Sequence, residues 1–451
     1  MSDMNETRIC IIGGGSRQWA LRFMKDLALN PDTHGTLVLY DRNKQAAREN
    51  VVIAERIFAV NRTPGRFNVL AIDDLQEALT GSDLVIISVE PGSTTCRKGD
   101  LLLPEEYGIL QTVGDTTGPG GIMRARRSIP MFHDFGKQIA ACCPDAWVIN
   151  YTNPMTLCTA ALYRAFPAIK VIGCCHEVFH LQNLLAKKVS QWYKVPPVNR
   201  RDVHIDVTGI NHFTFITEAK WNGLSLLEPL KEEISQPGYF KDLTSAALER
   251  IQKQQWFTSD HQIALTFLKD FDTLGAAGDR HLAEFVPWYL VSDKVLNSYG
   301  VVRTPYEWRI SIAEEKRTKK FTDEDLVAEP SDEEGVDIMR SLLGDSTMVT
   351  NVNLPNSGQI SYLPKGRIVE SNAHIAHNAV TPLMAKDPPL LIQTMIRRAS
   401  DIQEMTLDAV LNEDEDALFA AFISDPLVNI PLTKARELFD RMLVESALRY
   451  E

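Results

Sequence analysis

The chain has 451 residues, 44% hydrophobic and 24% charged, a soluble globular balance with enough length for two or three ordinary domains or one two-lobed enzyme. A net charge of −12, from 47 basic and 59 acidic residues, argues against general affinity for nucleic acid or anionic membranes, although a local cationic cluster can still hold a small anion. No stretch reaches the roughly 20 apolar residues that span a bilayer, and seven cysteines with two adjacent pairs make a poor disulfide framework. With no basic-then-apolar leader at Met1–Glu6, these features lead us to expect a cytoplasmic protein.

In chain order, Arg8 to Ile12 reads as a short buried strand running into Gly13-Gly14-Gly15-Ser16. Glycines at such a position let the backbone approach a pyrophosphate, whose charge the next helix N-terminus stabilises. Ala20, Phe23, Met24 and Leu27 recur at helical spacing, and Asn30-Pro31-Asp32 stops that helix. A second strand, Leu37 to Tyr40, ends at Asp41, where an acidic residue meets an adenosine ribose; this favours NAD over NADP, with Arg42 able to tolerate a phosphate. The fingerprint is incomplete, because Gln18 takes the third glycine's place. A helix follows through Val52, Ala54 and Phe58, then apolar strands at Leu84–Val89, Trp147–Ile149 and Lys170–Ile172. This alternation predicts an α/β fold with an N-terminal Rossmann-type doubly wound parallel sheet.

After about residue 200 the pattern changes. Val203 to Val207 alternates like a half-exposed strand, with Phe213–Ile216 as its partner, and long helical stretches follow around 240–270 and 385–450. Lys316 to Gly335 is charge-rich and expected to be a solvated surface stretch. The expected organisation is a dinucleotide-binding domain over 1–200 and, over 201–451, an interleaved mixed α/β lobe carrying substrate, metal-site and oligomerisation surfaces.

Two runs stand out: Gly173-Cys174-Cys175-His176 and Gly209-Ile210-Asn211-His212. Each presents a metal-binding side chain just after a predicted strand, and open α/β sheets bind ligands at that edge. A thiolate and an imidazole alone leave coordination positions open, as catalytic metal sites do. The plain alternative is a buried core cysteine and a satisfied histidine. Three further runs accompany them: Val113-Gly114-Asp115-Thr116-Thr117-Gly118-Pro119-Gly120-Gly121, Asn150-Tyr151-Thr152-Asn153-Pro154-Met155 and Gly278-Asp279-Arg280-His281-Leu282-Ala283-Glu284-Phe285. With these motifs in this order, and Asn353-Leu354-Pro355-Asn356-Ser357-Gly358 after them, the chain resembles glycoside hydrolase family 4, the NAD- and metal-dependent glycosidases.

The resemblance implies a hydrolysis by oxidation and elimination, outside the two-carboxylate pattern. NAD takes hydride from C3 of the sugar, and a divalent ion such as Mn²⁺ stabilises the enolate formed as a base removes the C2 proton. The C1–O bond then breaks, water adds and the hydride returns. By position, Cys175 and His212 are the implied metal ligands, and Asp279 is the base or, alternatively, a helix cap. Gly13, Gly14, Gly15, Ser16, Asp41 and Asn150 fall to the cofactor. Asn153, Arg280 and His281 fall to the substrate, unless Arg280 pairs within the fold. His176 is the implied proton donor, a role that suits an imidazole, or else it orients its neighbours.

His176 after the implied ligand cysteine is similar to the branch acting on non-phosphorylated sugars. Cys-His-Glu-Val with Gly-Gly-Gly-Ser-Arg-Gln-Trp-Ala looks most like the α-galacturonidase group, ahead of α-glucuronidases and α-galactosidases. The implied substrate is a small glycoside or oligogalacturonide, with Arg97, Lys98, Arg280 and His281 as candidate partners of the carboxylate. A homodimer or homotetramer is expected. The competing readings are a malate- or lactate-type NAD-dependent dehydrogenase and a non-catalytic NAD sensor.

Overall fold

Side-chain alternation along the apolar strands sets the architecture. On β1 (Thr7–Ile12) Ile9 and Ile11 enter one core while Cys10 and Ile12 enter another, so both faces of the sheet must be covered. The same division recurs on β2 (Gly35–Tyr40), where Leu37 and Leu39 oppose Val38, and on β4 (Leu84–Ile87), which follows β3 (Phe67–Ala71). With β5 (Trp147–Asn150) and β6 (Lys170–Gly173), six strands run parallel in the order β3-β2-β1-β4-β5-β6. This is the doubly wound order, and it places the ligand crevice at the carboxyl ends of β1 and β4. Helices Trp19–Leu29 and Lys44–Val60 cover one face, and Gly118–Cys142 and Met155–Ala165 the other. The computed structural model describes residues 6–30, 32–254, 256–257 and 259–445. Pro31 of the expected helix stop, residues 446–450 of the last helical stretch and the start of the chain before Glu6 lie outside the described residues.

The second half builds a smaller sheet from β7 (His204–Ile210), β8 (Phe213–Trp221), β9 (Leu224–Ser225) and β10 (Leu274–Gly275). β7 and β8 are longer than expected and pair antiparallel, with Ile210 opposite Phe213. The chain then returns to the first sheet: β11 (Met348–Pro355), β12 (Ile368–Ala376) and β13 (Ala379–Pro382) extend it antiparallel beyond β6. The large sheet is therefore mixed, and residues 348–382 belong to it although they follow the expected boundary at 200. The stretch at 240–270 is two helices, Ser245–Gln254 and Gln262–Phe271. That at 385–450 contains Leu390–Leu411, Glu415–Ser424 and Leu432–Glu445.

Lys316–Gly335 lies at the surface with most of its residues exposed, as expected, but it is also a strap packed on the dinucleotide-binding half. Leu326 is buried, Arg22 pairs with Glu333 at 3.1 Å, Arg56 with Asp323 at 2.6 Å and Arg200 with the buried Glu334 at 2.8 Å. Its charges have partners on the other half, which composition alone does not reveal. Among the described residues, no helix is long and apolar enough to cross a membrane.

Candidate metal and dinucleotide site

The glycine turn after β1 is built by close approach. Gly13 has φ +97°, and a Cβ there would strike the Ser88 carbonyl oxygen. The N–H groups of Gly13 and Gly14 both donate to the Tyr40 carbonyl at 2.9 and 2.8 Å. Asp41 stands at the end of β2, partly exposed, but its carboxylate also closes the turn by accepting from the N–H of Gly15 (2.9 Å) and Asn43 (2.8 Å). The first turn of Trp19–Leu29 has no acidic residue and no side-chain cap from its N-cap residue, Gln18. A tight glycine turn leading to a helix N-terminus free of acidic residues fits a dinucleotide pyrophosphate. Gln18 is exposed and accepts from Lys316 Nζ at 2.6 Å. It therefore needs none of the close packing that calls for a third glycine. Ser16 Oγ accepts from the N–H of Gln18 (3.3 Å) and Trp19 (3.1 Å).

Asn150 departs from its expected cofactor contact. It is fully buried, and its amide bonds Thr152 O (3.3 Å), Thr159 Oγ1 (3.2 Å) and the Thr152 N–H (2.8 Å). It holds the 150–153 turn instead. Asn153 in that turn accepts from Arg124 Nε through its main-chain carbonyl at 2.9 Å, leaving a buried Oδ1 without a partner.

His212 owes its placement to the β7–β8 hairpin. Gly209, at φ +144°, lies where a Cβ would strike the Phe213 carbonyl oxygen, and His212 itself takes φ +65° at the two-residue turn. A left-handed conformation costs a non-glycine residue about 1–2 kcal/mol, and such strain gathers at functional positions. The hydroxyl of Thr116 donates to Asp115 Oδ1 (2.8 Å) and lies 2.8 Å from His212 Nδ1. With its proton committed to Asp115, it accepts from Nδ1–H, which leaves the lone pair of His212 on Nε2. Burial and the adjacent His281 ring push His212 down to about 3, so the ring is neutral near pH 7. His281 stacks on His212 with ring centroids 3.6 Å apart, and its own Nδ1 is buried without a partner.

Asp115, His212 and His281 form one of two groups among the described residues whose ligand atoms lie within 4.8 Å of one another; the other is His176, Glu177 and His180. Burial opposes ionisation of Asp115, yet His281 and His212 hold its carboxyl below the usual range. Cys175 belongs to neither group of three, and Asn211, the neighbour of His212 in the hairpin turn, links it to that histidine. The thiol is hydrogen-bonded by the Glu177 N–H and the Asn211 amide, while burial and the Glu370 and Glu177 carboxylates raise it well above its ordinary range. Glu370 accepts from Asn351 (2.7 Å), Asn353 (3.1 Å) and Asn211 (3.2 Å). Two imidazoles, a carboxylate and a thiol in one neighbourhood fit a divalent transition metal, whose charge would draw off the thiol proton.

Asp115 and Glu284 lie in the runs 113–121 and 278–285, where the sequence pattern assigns them no role. Glu284 is buried, and its Oε1 accepts from the N–H groups of Thr112, Val113 and Gly114 at 2.7, 2.7 and 2.9 Å. Thr112 Oγ1 returns a bond to Arg280 O at 2.5 Å. One carboxylate thus fastens the loop bearing Asp115 to the short helix bearing His281. Glu177 makes a similar tie, with Oε2 accepting from Gly278 N–H at 2.8 Å. Burial works against its charge, but the imidazoles of His281, His176, His212 and His180 hold it at about 2.

Two residues expected at the substrate also make contacts within the fold. Asp279 is fully buried, accepting from Ala264 N–H and Ser259 Oγ, each at 3.0 Å, so it caps the helix Gln262–Phe271. Burial raises it to about 6. Arg280 donates to Val302 O (2.7 Å), Thr304 Oγ1 (2.9 Å) and Trp256 O, carbonyl and hydroxyl oxygens in place of the carboxylate of its plain alternative, and its Nε is buried without a partner. Lys98 is exposed, whereas Arg97 is half-buried 3.6 Å from Glu90 with its Nε unpartnered. Arg309, which the sequence did not suggest, donates to Thr112 O at 2.9 Å and also leaves a buried Nε free. Burial and the nearby Arg97 hold Arg309 at about 10.

The description "Family 4 glycosyl hydrolase" matches residues 8–191, and that of its C-terminal domain matches residues 207–428. The α-galacturonidase of Thermoanaerobacterium saccharolyticum is 40% identical over 456 residues, covering 99% of this chain and 97% of its own. A crystal structure of a Bacillus subtilis protein described as a glucosidase has a TM-score of 0.89 at 40% identity, covering 97% of this chain and all of its own (100%). The 6-phospho-β-glucosidase of Thermotoga maritima, solved with manganese, NAD⁺ and glucose-6-phosphate, shares the fold with a TM-score of 0.75 at 21% identity, covering 97% of this chain and 98% of its own.

Proposed function

The chain belongs to family 4 of the glycosyl hydrolases, and from that membership we propose that it is an NAD- and divalent-metal-dependent glycosidase cleaving α-galacturonides. The carrying observation is that Asp115, His212 and His281 close on one another in a chain whose large sheet has the strand order of dinucleotide-binding folds. When bound, NAD supplies a reversible hydride acceptor and a divalent ion such as Mn²⁺ supplies a Lewis acid. The glycine turn Gly13–Ser16 and Asp41 hold the dinucleotide. His212, with Cys175 alongside and Asp115 and His281 in reach, holds the ion. Asn153, whose Oδ1 has no protein partner, orients the sugar, and His176 gives its proton to the leaving oxygen.

Asp279 accepts the C2 proton. A carboxyl near 6 is close to the operating pH, where a base is most effective, and Ser259 must give way for substrate to reach it. Asparagine caps a helix as well as aspartate, so Asp279→Asn should keep thermal stability within about 0.5 kcal/mol while turnover falls by roughly 10²–10⁴. Full turnover in that variant would leave Asp279 a cap alone.

Arg97 and Arg309 support a uronate over a neutral sugar. Two guanidiniums near each other, each with an unpartnered Nε, suit a carboxylate arriving with the substrate. The test is release of nitrophenol from p-nitrophenyl α-galacturonide by pure protein with NAD⁺, Mn²⁺ and a reductant. Cleavage of neither this nor any other α-hexuronide or α-galactoside overturns the assignment. Arg97→Ala should lower kcat/KM for the galacturonide by about 10- to 100-fold, the worth of one charge-assisted hydrogen bond, with little change for an α-galactoside. Equal losses on both would remove Arg97 from carboxylate recognition. The exposed Met384, Leu390 and Leu391 offer a surface for the expected homodimer or homotetramer.

A further inference from the structure

Residues 176–180 read His-Glu-Val-Phe-His, the spacing that in zinc peptidases puts two imidazoles on one helix face. Here the first histidine is not in the helix. His176 is the N-cap of Glu177–Tyr193, with φ −88° and ψ −3°, and its side chain makes no capping hydrogen bond. The rings of His176 and His180 meet edge to face with centroids 5.5 Å apart. His176 Nδ1 lies 3.4 Å from Glu333 Oε1, which leaves Nε2 turned toward Glu177 Oε1 at 3.9 Å. That last separation is too long for a hydrogen bond. It is close to the roughly 3.4 Å between two donors of a tetrahedral ion with bonds of about 2.1 Å. A carboxylate on the far nitrogen of a ligating imidazole is the arrangement that orients histidines around metals.

We propose that His176, Glu177 and His180 form a second divalent-cation site, separate from the Asp115–His212–His281 group, and that an ion of the zinc, nickel or copper class bound there inhibits the enzyme by occupying His176. The inhibitory part rests on His176 acting at the sugar, as read above; the site itself does not. His180 is exposed and His176 retains 31% of its side-chain exposure, so the site opens to solvent while Glu177 forms its inner wall. Glu177 Oε2 is held by the Gly278 N–H, which leaves Oε1 for the cation and removes the freedom a peptidase base requires. Two imidazoles with one carboxylate favour zinc, nickel or copper over manganese. Zinc therefore competes with excess Mn²⁺ here as it does at the His212 group, and the comparison with His180→Ala isolates this site.

The test uses the full chain saturated with NAD⁺ and Mn²⁺ and titrated with Zn²⁺, reading bound zinc by equilibrium dialysis and turnover in parallel. The wild type is expected to bind one more zinc per chain than His180→Ala, whose basal turnover is unchanged. Glu333→Gln, which keeps the ligands but alters the partner of Nδ1, should weaken that zinc by about 10-fold or more. Zinc should inhibit the wild type, and the concentration for half-inhibition should rise at least about 10-fold in His180→Ala. Equal zinc stoichiometry in the two proteins overturns the site. A stoichiometric difference with identical inhibition overturns the inhibitory role. The dialysis readout needs no substrate, so absence of galacturonidase activity would count against the function above and not against this site.

Discussion

His212→Ala should abolish turnover, lowering kcat/KM by roughly 10³-fold or more, while leaving dinucleotide binding intact. The ring sits at the centre of the site: Thr116 fixes its tautomer at 2.8 Å, and His281 stacks on it at 3.6 Å. Its loss removes the lone pair on Nε2 and the face that orients His281. A Lewis-acidic ion contributes several kcal/mol at a developing oxyanion, and each 1.36 kcal/mol is about a factor of ten in rate. The glycine turn that holds the dinucleotide lies on different elements, so the shift in melting temperature on adding NAD⁺ should persist. Mn²⁺ affinity, read by electron paramagnetic resonance, should fall with the activity. His212→Gly separates chemistry from fold. Glycine relieves the φ of +65°, a gain of about 1 kcal/mol, yet this variant should be as inactive as the alanine one. Retention of more than about a tenth of wild-type turnover, a deficit under ~1.4 kcal/mol, would take His212 out of the metal site.

What the sequence reveals follows from how each element is buried. Strands β1, β2, β4, β5 and β6 are covered on both faces, so they read as short apolar runs between turns, and their parallel order follows from alternation with helices. β11 and β12 do not read that way. Asn351, Asn353, Glu370, Ser371 and Asn372 are buried in them, because these strands carry the amide and carboxylate cluster beside Cys175. Polar side chains inside strands hide the strands from a hydrophobic pattern and mark the site once the fold is known. The strap at 316–335 reads as surface, but its ion pairs to the other half stay hidden for a related reason, since paired and solvated charges look alike in composition. Gly13–Gly15 and His212 were legible because glycine turns and hairpin ends carry local signals. Asp41 and Asp279 were legible as chemistry, but not the backbone groups their carboxylates hold. Asn150, Arg280 and Glu284 act through partners that no local pattern specifies.

Glu284 shows what such a partner is worth. Glu284→Ala should cost about 3–5 kcal/mol of stability, the usual result of breaking a buried charged network from one side, and should weaken the metal site as well. The carboxylate accepts from three consecutive N–H groups, those of Thr112, Val113 and Gly114, across as many as 172 positions of sequence. Alanine would strand three buried donors, and unsatisfied groups of this kind cost about 1–3 kcal/mol each before relaxation. Glu284→Gln keeps an oxygen for them without the charge. It should therefore fall between wild type and alanine in urea midpoint, the slope of the transition unchanged. Mn²⁺ affinity should follow the same order, although Glu284 is no ligand in the proposed site, because the 112–114 loop delivers Asp115 to His212 and His281. If Glu284→Ala loses stability but binds Mn²⁺ as the wild type does, the loop is positioned by something else. If both fall together, the runs at 113–121 and 278–285 work as one unit, and the carboxylate between them is why two distant motifs make a single site.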